Sequence, residues 1–437
     1  MSLYTHYFYS PTVNELLSDR QLITQMLRFE AALATAQAQE GIVEKQYAQM
    51  IAHFCNIDFI DLEKLSIEVK LGGNVAIPFV KNLARIVKNH DAEAAKYVHF
   101  GATSQDVIDT ATALQIKEYG RWLASKIDDL INTLVLLTQK HKGTLMIGRT
   151  LLQQARPITL GLKTAKWLST LTHLKSTLIA AQNHTLTLRL GGAVGSGNDK
   201  INQRVASLMA AQLELKPTAI PDATDFAVYA CQLGVLNQWL GKIAKDIALM
   251  MQTEIGEVLE GAAEGKGGSS TMPHKRNPVT STAIMANSAR IPQLVATMLT
   301  TIPQEHERSA GLWHAQWETL TELMQLTAGS IERSVELLES LEIDTERMAQ
   351  NLELTRGLIY AEEVSLALAP KIGKTQAHEL VEKACKIAIS EKKHLKEVLK
   401  ELEIELPSLD NLFKPDNAIG RCNEIIDEIL HSFRNET

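Results

Sequence analysis

Between Gly261 and Pro278 the chain places glycines at 261, 265, 267 and 268 ahead of Ser269, Ser270, Met272, Pro273, Lys275, Arg276 and Asn277. Such a stretch cannot continue a helix. Glycines let the backbone take positive φ and come close to a ligand. Lys275 and Asn277 then supply a positive charge and amide donors to an oxyanion. A flexible linker or a helix cap also accounts for a glycine-rich run. A phosphate-cradling G-x-x-x-x-G-K-[ST] loop does not, because Lys275 follows no glycine and precedes Arg276.

Further candidates lie along the chain. Arg308 carries a guanidinium that can fork onto a carboxylate or join an intersubunit ion pair. Lys266 and Arg276 read either as clamps for substrate charge or as solvated loop cations. His306 and His314, eight apart, fit neither H-x-x-x-H nor a nearby third ligand, so no metal is expected. Cys55, Cys231, Cys385 and Cys422 form no C-x-x-C pair and read as reduced, buried thiols.

Long helices must position these groups. The prolines leave intervals 79–156, 158–216, 222–272 and 304–369 free. Within them Leu123, Ile127, Leu130, Leu134 and Leu137 recur at steps of four and three, as do Leu233, Leu236, Leu240, Ile243, Ile247 and Met250. No strand alternation is comparable. Several faces of this kind predict a bundle that continues across subunits. The expected domains are 1–110 (shorter helices), 111–355 (the long-helix bundle) and 356–437 (a C-terminal helical domain). At 437 residues the chain exceeds the size of one ordinary core, and its aromatic fraction of 5% suits Leu/Ala-packed helices. A net charge of −7 offers no field for nucleic acid or anionic lipid. The N-terminal residues carry no secretory pattern and no window is apolar enough to span a membrane, which makes the cytoplasm the expectation.

Ser269-Ser270-Thr271-Met272-Pro273-His274-Lys275-Arg276-Asn277-Pro278 resembles the G-S-S-x-M-P-x-K-x-N signature of the fumarase/aspartase superfamily. His99-Phe100-Gly101-Ala102-Thr103-Ser104-Gln105-Asp106 is similar to its first segment, T-S-x-D, and Gly148-Arg149-Thr150 to the start of its second. The Gly191-Gly192-Ala193-Val194-Gly195 run also looks like members of the family. The resemblance implies an all-α fold of three helical domains, with long central helices forming a twenty-helix core in a homotetramer. It implies active sites built from three subunits, a small polycarboxylate substrate and no cofactor. It makes Ser269 the group that exchanges a proton with carbon, and Lys275 and Asn277 the holders of the aci-carboxylate that forms beside it. Ser270, Met272, His99, Thr103, Ser104, Arg149, Thr150, Gln154 and Arg308 are expected to bind substrate.

The chain departs from the family at one informative position. Most members read G-R-T-H in the second segment, where the histidine protonates a leaving amine or hydroxide. Here the residue is Leu151, which cannot donate a proton. A carboxylate, with a reference pKa of about 4, leaves or attacks without such help. The absence therefore points to the superfamily's lactone-forming branch, in which a carboxylate adds within the molecule to an activated double bond. The alternative is an amine-eliminating member such as adenylosuccinate lyase. Gly72-Gly73-Asn74-Val75 stands where that lyase resembles R-H-D-V with its phosphate-binding histidine, and so weighs against it.

Overall fold

The computed structural model describes residues 3–218, 224–263, 265–268, 271–404, 406 and 408–436. The fold is all-α. Its principal helices are α1 (Asp19–Gln39), α2 (Ser104–Lys140), α3 (Leu160–Thr185), α4 (Asp225–Met250), α5 (Val279–Thr300) and α6 (Leu312–Glu339). Short strands interrupt them: β1 (Leu145–Thr150) pairs antiparallel with β2 (Gln153–Thr159), and β3 (Val258–Leu259) with β4 (Glu342–Ile343). With 37 residues α2 is about 55 Å long. The spacing read from the sequence is the packing seam: Leu123, Ile127, Leu130 and Leu134 on α2 are buried, as are Leu233, Leu236, Leu240, Ile243, Ile247 and Met250 on α4.

The chain forms two compact units, and several long helices contribute residues to both. Unit 1 comprises Met1–Ile127, Leu174–Leu240 and Ala286–Glu332. Its core sets Met26, Phe29 and Leu33 of α1 in one apolar cluster with Phe79, Leu83, Ile108 and Leu188. Ser18 caps α1 by accepting the Gln21 N–H. Two buried polar groups of this unit bond across helices: Asn237 Nδ2 donates to Thr327 Oγ1 at 2.7 Å, and Tyr119 Oη to the Met324 carbonyl at 3.0 Å.

Helix α5 runs through Pro292, which the proline spacing did not predict. Proline lacks the N–H that would bond the carbonyl four residues earlier, that of Ser288. Gln238 Nε2 of α4 donates to that oxygen at 2.7 Å. The helix continues because a side chain replaces the lost backbone donor.

Unit 2 comprises Asp128–His173, Gly241–Met285 and Arg333–Thr437. Its C-terminal part closes over Val364, Leu368, Val381, Leu395 and Val398. The β1–β2 hairpin is anchored by Ile147, which clusters with Leu352, Ile359, Tyr360 and Ala418. This hairpin carries the second segment and was not foreseen as strand. The four cysteines are free.

Candidate active site

The first segment lies in unit 1, at the start of α2. Asp106 organises it, its carboxylate accepting the N–H of Thr103 at 3.0 Å in a capping arrangement. The same carboxylate accepts the N–H groups of Gly191 and Gly192 at 3.0 and 2.9 Å. Arg308 Nη2 stands 3.8 Å from Asp106 and donates to the Gly192 carbonyl at 2.7 Å. Burial raises the Asp106 pKa, against the lowering effect of its backbone donors and Arg308. Gly192 takes φ +67, and a Cβ on Gly191 would meet Gly195 Cα at 2.9 Å, so the turn requires glycine at both. His99, Thr103, Ser104 and Arg308 are thus drawn into one neighbourhood by a carboxylate to which the sequence reading gave no role.

His99 is largely buried, with its backbone at φ 58. Its Nδ1 lies 2.6 Å from Glu30 Oε1 of α1. Burial lowers the His99 pKa, yet the charge and hydrogen bond of Glu30, with Asp106 and the Thr103 backbone, outweigh it and the net shift is upward.

The other candidates lie in unit 2. Thr150 pairs with Gln153, leaving Leu151 and Leu152 as a two-residue hairpin turn at φ 51 and φ 65. Both leucines point into solvent, Leu151 at 96% exposure. Below them Arg149 forks onto Glu257, its two Nη atoms donating at 2.8 and 2.7 Å. Asn351 Nδ2 donates to Glu257 Oε1 at 2.9 Å, and Gln154 Nε2 to the Asn351 carbonyl at 3.1 Å. The guanidinium of Arg149 and the amide of Gln154 are therefore held by protein groups, while Thr150 is exposed.

The signature loop springs from the strand that begins beside Glu257. Asn277 N donates to the Gly267 carbonyl at 2.8 Å, pinching the loop shut at its base, and Asn277 Nδ2 to the Gly268 carbonyl at 3.4 Å. Gly267, at φ +70, permits this approach: a Cβ there would meet the Asn277 oxygen at 2.9 Å. Past the loop, Glu260 accepts the N–H groups of Thr280 and Ser281 at 3.0 and 2.8 Å, capping α5 from outside the helix. Arg276 donates to the Glu260 carbonyl and forks onto Glu342 of β4 at 2.9 and 2.8 Å. Lys266 Nζ bonds Glu336 at 2.7 Å. Lys266 and Arg276 serve as latches at the loop's flanks. Lys275 and Met272 are exposed on its surface. Ser269 and Ser270 lie outside the described residues.

Family models match most of the chain: a lyase model over residues 7–292 and an adenylosuccinate lyase C-terminus model over residues 357–429. The chain belongs to the lyase family of the fumarase/aspartase superfamily. Within that family it is 43% identical to a 3-carboxy-cis,cis-muconate cycloisomerase of Acinetobacter baylyi, covering 99% of both chains. A 3-carboxy-cis,cis-muconate cycloisomerase of Pseudomonas aeruginosa is 42% identical, with 98% of this chain and 95% of that one covered. The crystal structure of a 3-carboxy-cis,cis-muconate lactonizing enzyme from Pseudomonas putida superposes with a TM-score of 0.93 at 40% identity, over 99% of each chain. The chain is an enzyme of this lyase family.

Proposed function

We propose that this enzyme cyclises 3-carboxy-cis,cis-muconate to 4-carboxymuconolactone, acting as a cytoplasmic homotetramer whose active sites are shared between subunits. The observation that carries the reading is Leu151 on the exposed turn of the second segment, where an amine-eliminating relative would present an acid. The 3-carboxymuconate cycloisomerases among the relatives support it. Among the described residues no helix is long and apolar enough to cross a membrane.

In the proposed reaction a substrate carboxylate oxygen attacks an alkene carbon within the same molecule. The C–O bond forms as the alkene electrons move into the neighbouring carboxylate, giving an aci-carboxylate dianion. The Ser269 hydroxyl then delivers its proton to the adjacent carbon and is reprotonated from solvent. Substrate and product are isomers as free acids; in their ionised forms the reaction takes up one proton, which solvent supplies through Ser269. Lys275 and Asn277 hold the dianion electrostatically. Thr103, Ser104, His99 and Arg308 take a second carboxylate, and Thr150, Met272 and Ser270 line the substrate. Arg149 and Gln154 act by fixing the hairpin from below, consistent with their bonds to Glu257 and Asn351. Intramolecular attack supplies much of the rate through proximity.

The test is turnover followed by ultraviolet absorbance, which falls as the conjugated diene is consumed. The purified enzyme is expected to convert the muconate and leave adenylosuccinate unchanged; the opposite pattern sinks the proposal. Ser269→Ala is expected to lower kcat by roughly 10²–10⁴-fold while the protein stays folded. A variant near the wild-type rate would remove Ser269 from its role.

A further inference from the structure

Beneath the first segment His99 is paired with a buried carboxylate, Glu30, to which the reaction above gives no task. Glu30 on α1 is 1% exposed and His99 13%, and the Nδ1 to Oε1 distance of 2.6 Å places them in a short hydrogen bond. The other oxygen of Glu30, Oε2, is buried and finds no partner among the described residues. A buried carboxylate is costly unless a cation compensates it. Asp106 adds negative charge from α2 and is shared with Arg308. Burial, with the charge of Glu30 adding to it, pushes the Cys55 thiol pKa well up, keeping it neutral. His99 also holds a left-handed backbone, at a cost on the order of 1 kcal/mol for a residue with a Cβ.

We propose that Glu30 is a positioning residue that holds His99 as an imidazolium, so that the first segment meets one substrate carboxylate with a fixed positive charge. This rests on the polycarboxylate reading above. The sign follows from linkage: the proton on His99 persists to higher pH than on a free histidine, and the charge is lost as pH rises through its folded pKa. Substrate binding should weaken over that same range. The catalytic step, which runs through the loop, should not.

The test is NMR titration of the full-length protein with ring-labelled histidine, His99 being assigned by its loss in His99→Gln. The wild-type midpoint is expected above that of an ordinary histidine, and Glu30→Gln should lower it by at least about one pH unit. In steady-state assays with 3-carboxy-cis,cis-muconate, KM should rise as pH passes the His99 midpoint while kcat stays level, and Glu30→Gln should move that rise to lower pH by the same amount. His99→Gln should raise KM on the order of ten-fold at neutral pH and abolish the dependence. An unmoved midpoint in Glu30→Gln overturns the proposal. Should that variant fail to fold, a wild-type midpoint at or below that of ordinary histidine does the same. The titration needs no turnover, so a failure of the proposed reaction and a failure of the pair are distinguishable.

Discussion

At the scale of single residues, the side chains that hold the site together are carboxylates with distant partners. Glu30 meets His99 across 69 positions, Asp106 meets Gly191 across 85, and Glu257 meets Arg149 across 108. The resemblance of their segments to the family's motifs marked Arg149, His99 and Thr103 as candidates. Nothing local marked Glu257 or Glu30, because the signal for each is its partner and the partner is placed only by the fold. Asp106 had a local cue, its position three residues after Thr103 in a capping pattern. Glu257 makes a sharp test, since its side chain is fully buried while Arg149 keeps 22% exposure. Glu257→Gln leaves the guanidinium with a neutral partner. Allowing for the solvent that reaches Arg149, the loss should be about 2–4 kcal/mol. Urea unfolding should show a lower midpoint, and adding Arg149→Met should cost less than the sum of the two single changes. Strict additivity would mean that the pair does not act as a unit.

At the scale of elements, the long helices were legible because prolines and apolar spacing are local facts, and the seams they predicted are buried apart from Leu137, which is half-buried. Two elements were not. Helix α5 crosses Pro292 because Gln238, on another helix, supplies the missing donor to Ser288. The β1–β2 hairpin turns on Leu151-Leu152, with both φ values positive, where a two-residue turn ordinarily uses Asn-Gly. Leucine gives no turn signal, so the segment carried none. Fixing two leucines in this conformation costs roughly 1 kcal/mol each, and their exposure returns nothing to the folded subunit. A strained apolar tip kept in this way agrees with a role outside its own unit's core. The double substitution Leu151→Asn, Leu152→Gly should therefore stabilise the fold by about 1 kcal/mol or more, seen as a higher urea midpoint, while lowering kcat/KM for the muconate. Greater stability with unchanged kcat/KM would leave the tip without a part in substrate binding.

At the scale of the whole molecule, the deciding feature is a helix that is apolar on more than one face. The seam of α4 is buried from Leu233 to Met250, yet Val228 and Val235 on the same helix remain 47% and 48% exposed. They are seven residues apart, two turns along one stripe. Leu299 on α5 is exposed to a similar degree. A helix that is hydrophobic beyond its own core stripe needs a second surface to cover it, and in a chain of −7 net charge that surface fits a further copy better than a nucleic acid or an anionic membrane. The resemblance read from the sequence implied a tetramer, and these exposed valines are compatible with the one proposed here. If they sit between subunits, placing a charge there should separate the copies without unfolding them. Sedimentation velocity is expected to show the wild type as a tetramer and Val228→Glu, Val235→Glu as smaller species. Circular dichroism should keep its helical signal, and muconate turnover should be lost if, as proposed, each site draws residues from several subunits. A variant that stays tetrameric and active would place the interface elsewhere, and a monomeric, fully active wild type would remove the shared site altogether.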